Sequence, residues 1–210
     1  MRYIFAITIV LLIGSCKNEK HTDDRTKLES SKGINDGVDN NNAYNSDKNF
    51  KNFKFNNISY RANKKTQKIG NIYYTATELP LEYYIKKNLK ITNLDSLRML
   101  LDDMRNERVI EFEFQEESKK DLLDKEFTML EYKKSVEYMA FKIKKDFFAI
   151  TSKNDTISCS GVLFERNYKI APYKKVLVFF KNIEDKERIK IVYSDVIFGN
   201  GIIKFNLKNN

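Results

Sequence analysis

Glu111 and Glu113 are the pair of side chains in this 210-residue sequence whose type and spacing best suit catalysis. They alternate with Phe112 and Phe114 in Val109–Gln115, so a strand would put both carboxyls on one face, about 7 Å apart. Carboxyl pairs at that separation act as acid and base in glycoside hydrolysis. The same alternation marks any half-solvated strand, and sugar sites usually add a Trp platform, whereas the chain has no Trp. Imidazole chemistry lacks its material. The single histidine, His21, lies in a polar segment near the N-terminus. A Ser-His-Asp triad, a Cys-His dyad and a His-ligated zinc site are thereby excluded from the folded part.

The remaining candidates read more simply as structure. Cys159 lies in the strand-like stretch Ile157-Ser158-Cys159-Ser160-Gly161 and is expected to be a small buried side chain. Asp121, Asp124 and Glu126 suit a helix start, where the dipole favours acids. Asn154-Asp155 is too short for a calcium loop. The Gly199-Asn200-Gly201 turn lacks the lysine and following helix of a phosphate cradle. No catalytic residue, metal ligand or cofactor-binding residue is assigned.

The elements that would position these groups follow from periodicity. Phe53 to Tyr60 and Ile69 to Thr77 read as strands around a polar turn at Ala62–Gln67. Thr92–Arg108 reads as a helix, with Thr92 and Asp95 at capping-box spacing and Leu97, Leu100, Leu101 and Met104 on one face. A second helix is expected from Ser118-x-x-Asp121 to about Lys134, with Leu122, Leu123, Phe127 and Leu130 inward. Val136–Ile150, Thr156–Phe164, Tyr173–Phe180, Arg188–Tyr193 and Gly201–Leu207 then read as strands, with turns at Ser152–Asp155 and Gly199–Gly201. The class is α+β, mainly antiparallel β, with a sandwich-like C-terminal half and two helices inserted in the N-terminal half. Tyr73-Tyr74, Tyr83-Tyr84 and Phe179-Phe180 are adjacent aromatics. In strands one member of each pair faces away from the other, and helices are expected to cover those faces.

The formal charge of +9 divides evenly. Residues 17–66 carry 11 basic against 7 acidic side chains, and 67–210 carry 26 against 22. Interspersed signs of this kind describe a solvated surface and no nucleic-acid partner. Lys48–Lys65 gathers six basic residues with no acid among Phe and Tyr. It reads as an edge hairpin whose lysines discourage strand addition, with anionic headgroups as the other reading.

The N-terminus carries an address. Arg2 precedes the apolar run Tyr3–Ile13, too short for a ~30 Å bilayer core, and Gly14 and Ser15 then lead to Cys16. This is the layout of a signal peptide over 1–15. Ile13-Gly14-Ser15-Cys16 resembles the lipobox of bacterial lipoproteins. The resemblance implies cleavage before Cys16 and lipidation of its sulfur, leaving Cys159 as the remaining thiol with no intramolecular disulfide. Lys17-Asn18-Glu19 partly resembles the export signal of Bacteroidota surface lipoproteins, and Phe141–Leu207 is similar in texture to uncharacterised lipoprotein domains of that group.

Residues 16–49 are polar, with Asn40-Asn41-Asn42 and few large apolar side chains. Such a segment cannot bury enough surface to order itself, and reads as a lipidated, disordered tether with a reach on the order of 30 Å. Residues 50–210 read as one domain. The expectation is a non-enzymatic, membrane-anchored lipoprotein of the cell envelope, most simply on the outer membrane of a double-membrane bacterium. It would serve protein interaction or envelope assembly. A small-ligand or glycan-binding lipoprotein is the alternative, and a carboxylate-dependent hydrolase the second.

Overall fold

Two asparagines, Asn56 and Asn57, turn the chain first, with φ of 46° and 64°. Asn tolerates the left-handed region, and two such residues in succession make the two-residue hairpin turn whose twist matches its strands. They join β1 (Phe50–Phe55) to β2 (Ile58–Ile69). This corrects the turn expected at Ala62–Gln67, which lies inside β2. The polar residues there need no loop, because the first half of β2 pairs with β1 and the second half with β3 (Ile72–Leu79). The computed structural model describes residues 49–207 apart from Lys169. The signal peptide, Cys16, His21 and the tether up to residue 48 lie outside the described residues.

Beyond β3 come α1 (Leu81–Asn88), α2 (Leu94–Asp103) and β4 (Arg108–Glu116). Short helical turns follow, α3 (Lys125–Thr128) and α4 (Tyr132–Glu137). The latter continues as a π-helical turn over Tyr138–Lys142 and a 3₁₀ turn over Ile143–Asp146. The remaining strands are β5 (Phe147–Thr151), β6 (Thr156–Ser158), β7 (Gly161–Glu165), β8 (Tyr173–Phe180), β9 (Ile189–Asp195) and β10 (Gly201–Leu207).

Three expectations change here. Tyr83-Tyr84 stand on α1, not in a strand. The helix expected to run unbroken to Lys134 is two short turns. Val136–Ile150 is helical up to Asp146, because Met139 and Ile143, four residues apart, are both fully buried; an i,i+4 apolar pair outranks the β-propensity of the neighbouring side chains. The helix expected from Thr92 appears as α2, and Asn93 supplies its cap by accepting from the Asp95 and Ser96 amides at 2.9 and 3.0 Å.

The α+β, antiparallel class holds. One sheet runs β1-β2-β3-β4-β8-β7 and the other β10-β9-β5-β6, every pair antiparallel. Alternation along β4 decides what lies between them. Ile110, Phe112 and Phe114 face the second sheet, where the Phe112 ring lies 5.0 Å from Phe147, 5.2 Å from Tyr193 and 5.3 Å from Phe205. Such aromatic pairs add about 0.5–1.5 kcal/mol each to the burial they share. On the opposite face, Leu79, Val109 and Leu177 bury Tyr83, Tyr84 and Ile85 of α1 and Leu97 of α2. The chain changes sheets in two residues: the Cys159 amide bonds Phe147 on β5, and the Ser160 amide bonds Phe179 on β8. Thr156–Phe164, expected as one strand, is therefore two strands in different sheets.

Candidate functional site

Glu111 and Glu113 share the helix-side face of β4, as their spacing requires, but they do not stand free. Lys51 Nζ lies 2.6 Å from Glu111 and 2.5 Å from Glu113. Lys175 on β8, in register with Glu113, approaches Glu111 at 3.2 Å and Glu165 at 3.4 Å. Glu111 is 3% exposed. Burial alone would raise its pKa; the bonds from Lys51 and the charge of Lys175 outweigh burial and hold it below the usual carboxylate range. A general acid for glycoside cleavage needs the opposite shift. Thr77, in register with Glu111, keeps its buried Oγ1 without a hydrogen-bond partner among the described residues.

A second polar cluster sits inside the sandwich. Asp195 accepts from the Tyr74 hydroxyl at 2.6 Å, the Tyr193 hydroxyl at 3.1 Å and the Phe198 and Asn200 amides. Asn200 Nδ2 donates to the Tyr74 oxygen at 2.6 Å. Nearby, Tyr138 donates to the buried Asp146. Burial, then the adjoining carboxylates, pushes the phenols of Tyr74, Tyr138 and Tyr193 upward, so they remain donors. The cluster locks the β9–β10 connection to β3. Its sequence signal was Asp195 shortly before the expected Gly199-Asn200-Gly201 turn, where Asp commonly binds local amides.

The other candidates resolve into packing. Cys159 is 5% exposed, lies 3.0 Å from the Gly161 carbonyl and has its thiol pushed up by burial. Asp121 serves no helix start: it pairs at 3.0 Å with the buried Lys174 and accepts from the Leu123 amide. Tyr84 packs edge-on to Phe179 at 5.6 Å, so α1 covers that aromatic face as expected. In the basic hairpin, Lys51 is engaged by the carboxylates and Arg61 stacks 3.7 Å over Phe50. Lys65 donates to Asn49.

Sequence reasoning missed the helical segment after α4. With Met139 and Ile143 in the core, Phe141 must point outward, and it is 78% exposed. It separates two open clefts. One, of about 590 Å³, is lined by Lys142, Lys144, Lys145, Phe147, Phe148 and Cys159 with Phe141 itself. The other, of about 380 Å³, is lined by Tyr132, Lys133, Val136, Glu137 and Arg166 with the same phenylalanine. A third cleft, of about 640 Å³, holds Arg61, Lys186 and Arg188 with Glu78, Glu107 and Asp185. Its buried Arg108 is occupied by Glu78 and by carbonyls of the Glu184–Glu187 loop. Among the described residues no three His, Cys, Asp or Glu side chains converge as metal ligands, and no helix is long and apolar enough to cross a membrane.

No known protein family and no curated protein matches the chain. A solved structure described as a novel protein of unknown function from Burkholderia pseudomallei is similar at a TM-score of 0.32 and 11% identity, over 69% of this chain and 78% of that one.

Proposed function

We propose a non-enzymatic lipoprotein of the cell envelope, most simply of the outer membrane, anchored through Cys16 and working by binding at the face around Phe141. The anchor rests on Ile13-Gly14-Ser15-Cys16 behind its apolar run. The binding half rests on one observation: a phenylalanine 78% exposed on a segment whose neighbours Met139 and Ile143 are fully buried. The ring adjoins the apolar side chains of the clefts on either side of it, Phe147 and Phe148 in one and Tyr132 and Val136 in the other, and a contiguous exposed apolar patch marks an interaction surface. Lys51 and Lys175 occupy the Glu111 and Glu113 carboxylates as a structural ion-pair network, which supports binding over hydrolysis.

Fractionation tests the location. The native chain should sediment with membranes, and Cys16→Ser should release it. A variant that stays in the membrane fraction refutes the anchor. Assaying glycan turnover by Glu111→Gln and Glu113→Gln tests the exclusion of hydrolysis; an activity that either substitution abolishes overturns it. A second reading, a small-ligand lipoprotein, draws on the roughly 590 Å³ cleft lined by Phe141, Phe147 and Phe148. Equilibrium dialysis against soluble alkyl carboxylates tests it, and one-to-one binding would favour it.

A further inference from the structure

The two clefts beside Phe141 are lined by five basic side chains, Lys133, Lys142, Lys144, Lys145 and Arg166, against one acid, Glu137. Lys142 pairs with that acid at 3.1 Å. Lys133, Lys144, Lys145 and Arg166 are exposed and form no ion pair with the described residues. In the β1–β2 hairpin Lys51 is bound into the Glu111 and Glu113 carboxylates, Arg61 stacks on Phe50 and Lys65 donates to Asn49. The two faces therefore differ in the exposed aromatic ring and open clefts beside the charge rather than in ion pairing alone. Arg166, which lines the second cleft with Phe141, lies 5.0 Å over Tyr168 in the loop after β7; Tyr168 is 72% exposed and Ile170 in the same loop 88%. Arg166 thus borders the cleft of one outward aromatic ring and stacks on another.

We propose that this face docks on an anionic lipid bilayer, with Phe141 and Tyr168 entering the headgroup layer and the four unpaired cations meeting lipid phosphates. The inference names the partner of the binding surface proposed above and rests on that reading. Three observations favour a bilayer over other occupants. Uncompensated positive charge complements an anionic surface. Phe141 projects as a knob, and the clefts beside it are open, whereas small-ligand sites bury most of their ligand. Aromatic side chains ringed by lysine and arginine are what interfacial membrane binding requires. A lipid anchor on Cys16 would hold this face near such a surface, and docking would convert one-point attachment into two-point attachment.

The test uses residues 16–210 carrying Cys16→Ser, so that no acyl chain contributes. Vesicles of phosphatidylcholine alone, or with one-quarter phosphatidylglycerol, are sedimented with the protein. The expected result is binding to the anionic vesicles roughly tenfold tighter than to neutral ones, weakening as salt shortens the screening length. Lys144→Glu with Lys145→Glu should weaken binding by roughly tenfold or more. The pair Lys144→Arg with Lys145→Arg, and separately Lys54→Glu, should preserve it. Because the chain has no Trp, Phe141→Trp supplies a single reporter whose emission should shift to the blue on anionic vesicles.

Equal binding to both vesicle types, an unshifted reporter, or indifference to the charge reversal overturns the proposal. A reporter that shifts with an envelope protein and not with vesicles overturns it in favour of a protein partner. Since the assay contains no anchor, its failure leaves the lipoprotein reading standing. Retention of the Cys16→Ser chain in cellular membranes would refute the anchor without touching the vesicle result.

Discussion

Lys51 on β1 places its ammonium 2.6 Å from the Glu111 carboxylate on β4, although β2 and β3 stand between those strands in the sheet order. Three inter-strand steps in a flat sheet would separate the two backbones by about 14 Å. Two long side chains reaching toward each other across the helix-side face span that gap, and the twist of antiparallel sheets eases the reach. A single ion-paired lysine thus ties the first strand to the central one.

Lys51→Met should lower stability by about 1–3 kcal/mol in urea unfolding. Removing one partner of a buried pair usually costs about 3–5 kcal/mol; partial exposure of Lys51 and the remaining Lys175 reduce the loss. Adding Glu111→Gln to Lys51→Met should recover part of the loss, since it removes a buried carboxylate that Lys175 alone compensates only in part. A single variant as stable as the native chain would contradict the assigned role of the contact.

Glu111 and Asp146 should give stability profiles of opposite slope with pH. The folded pKa of Glu111 is lowered, because its lysines outweigh burial. Its contribution is present above the unfolded carboxylate value and is lost as pH falls through the folded one. The Asp146 pKa is raised, by burial first and by Asp195 as well. Its contribution is full below the unfolded value and is lost as pH rises through the folded one. Urea midpoints from pH 3 to 8 check both signs: native minus Glu111→Gln should rise with pH, and native minus Asp146→Asn should fall.

Asp195→Ala should cost about 3–5 kcal/mol, since two buried hydroxyls and two amides lose their acceptor together. Asp195→Asn, which keeps one carbonyl acceptor, should lose clearly less. Tyr74→Phe removes one donor and should cost about 1 kcal/mol. Denaturant titration of the three variants gives the order, and an alanine variant no weaker than Tyr74→Phe would contradict the hub role of Asp195.

Asn57→Gly should raise stability by about 0.5 kcal/mol, because φ of 64° suits glycine and an Asn-Gly pair favours this hairpin turn. Asn57→Val should lower it by about 1–2 kcal/mol, since a β-branched side chain resists that backbone. Thermal melting of both variants checks the sign at this position.

Much of the architecture was legible along the chain because it is periodic. Val109–Gln115 has alternation strong enough to assign its two faces, and α2 carries its apolar stripe within a dozen residues, although its cap is Asn93 and not the expected Thr92. The strands Tyr173–Phe180 and Gly201–Leu207 are bounded by turn residues close by in sequence. Legibility failed where distant packing outranked local preference. Helical burial of Met139 and Ile143 overrode the β-propensity of Val136–Asp146, and the two sheets divide one expected strand at Cys159 and Ser160.

The candidate site shows the same division. Residue types along the chain determined the lipobox resemblance at Cys16, the lack of histidine chemistry in the folded part and the shared face of Glu111 and Glu113. Tertiary structure alone decided that lysines from β1 and β8 converge on those carboxylates, that Asp121 meets Lys174 across 53 positions, and that Phe141 stands outside. Charge and periodicity are local properties of a chain. Which charges neutralise one another, and which apolar side chain finds no cover, depends on contacts between residues far apart in sequence.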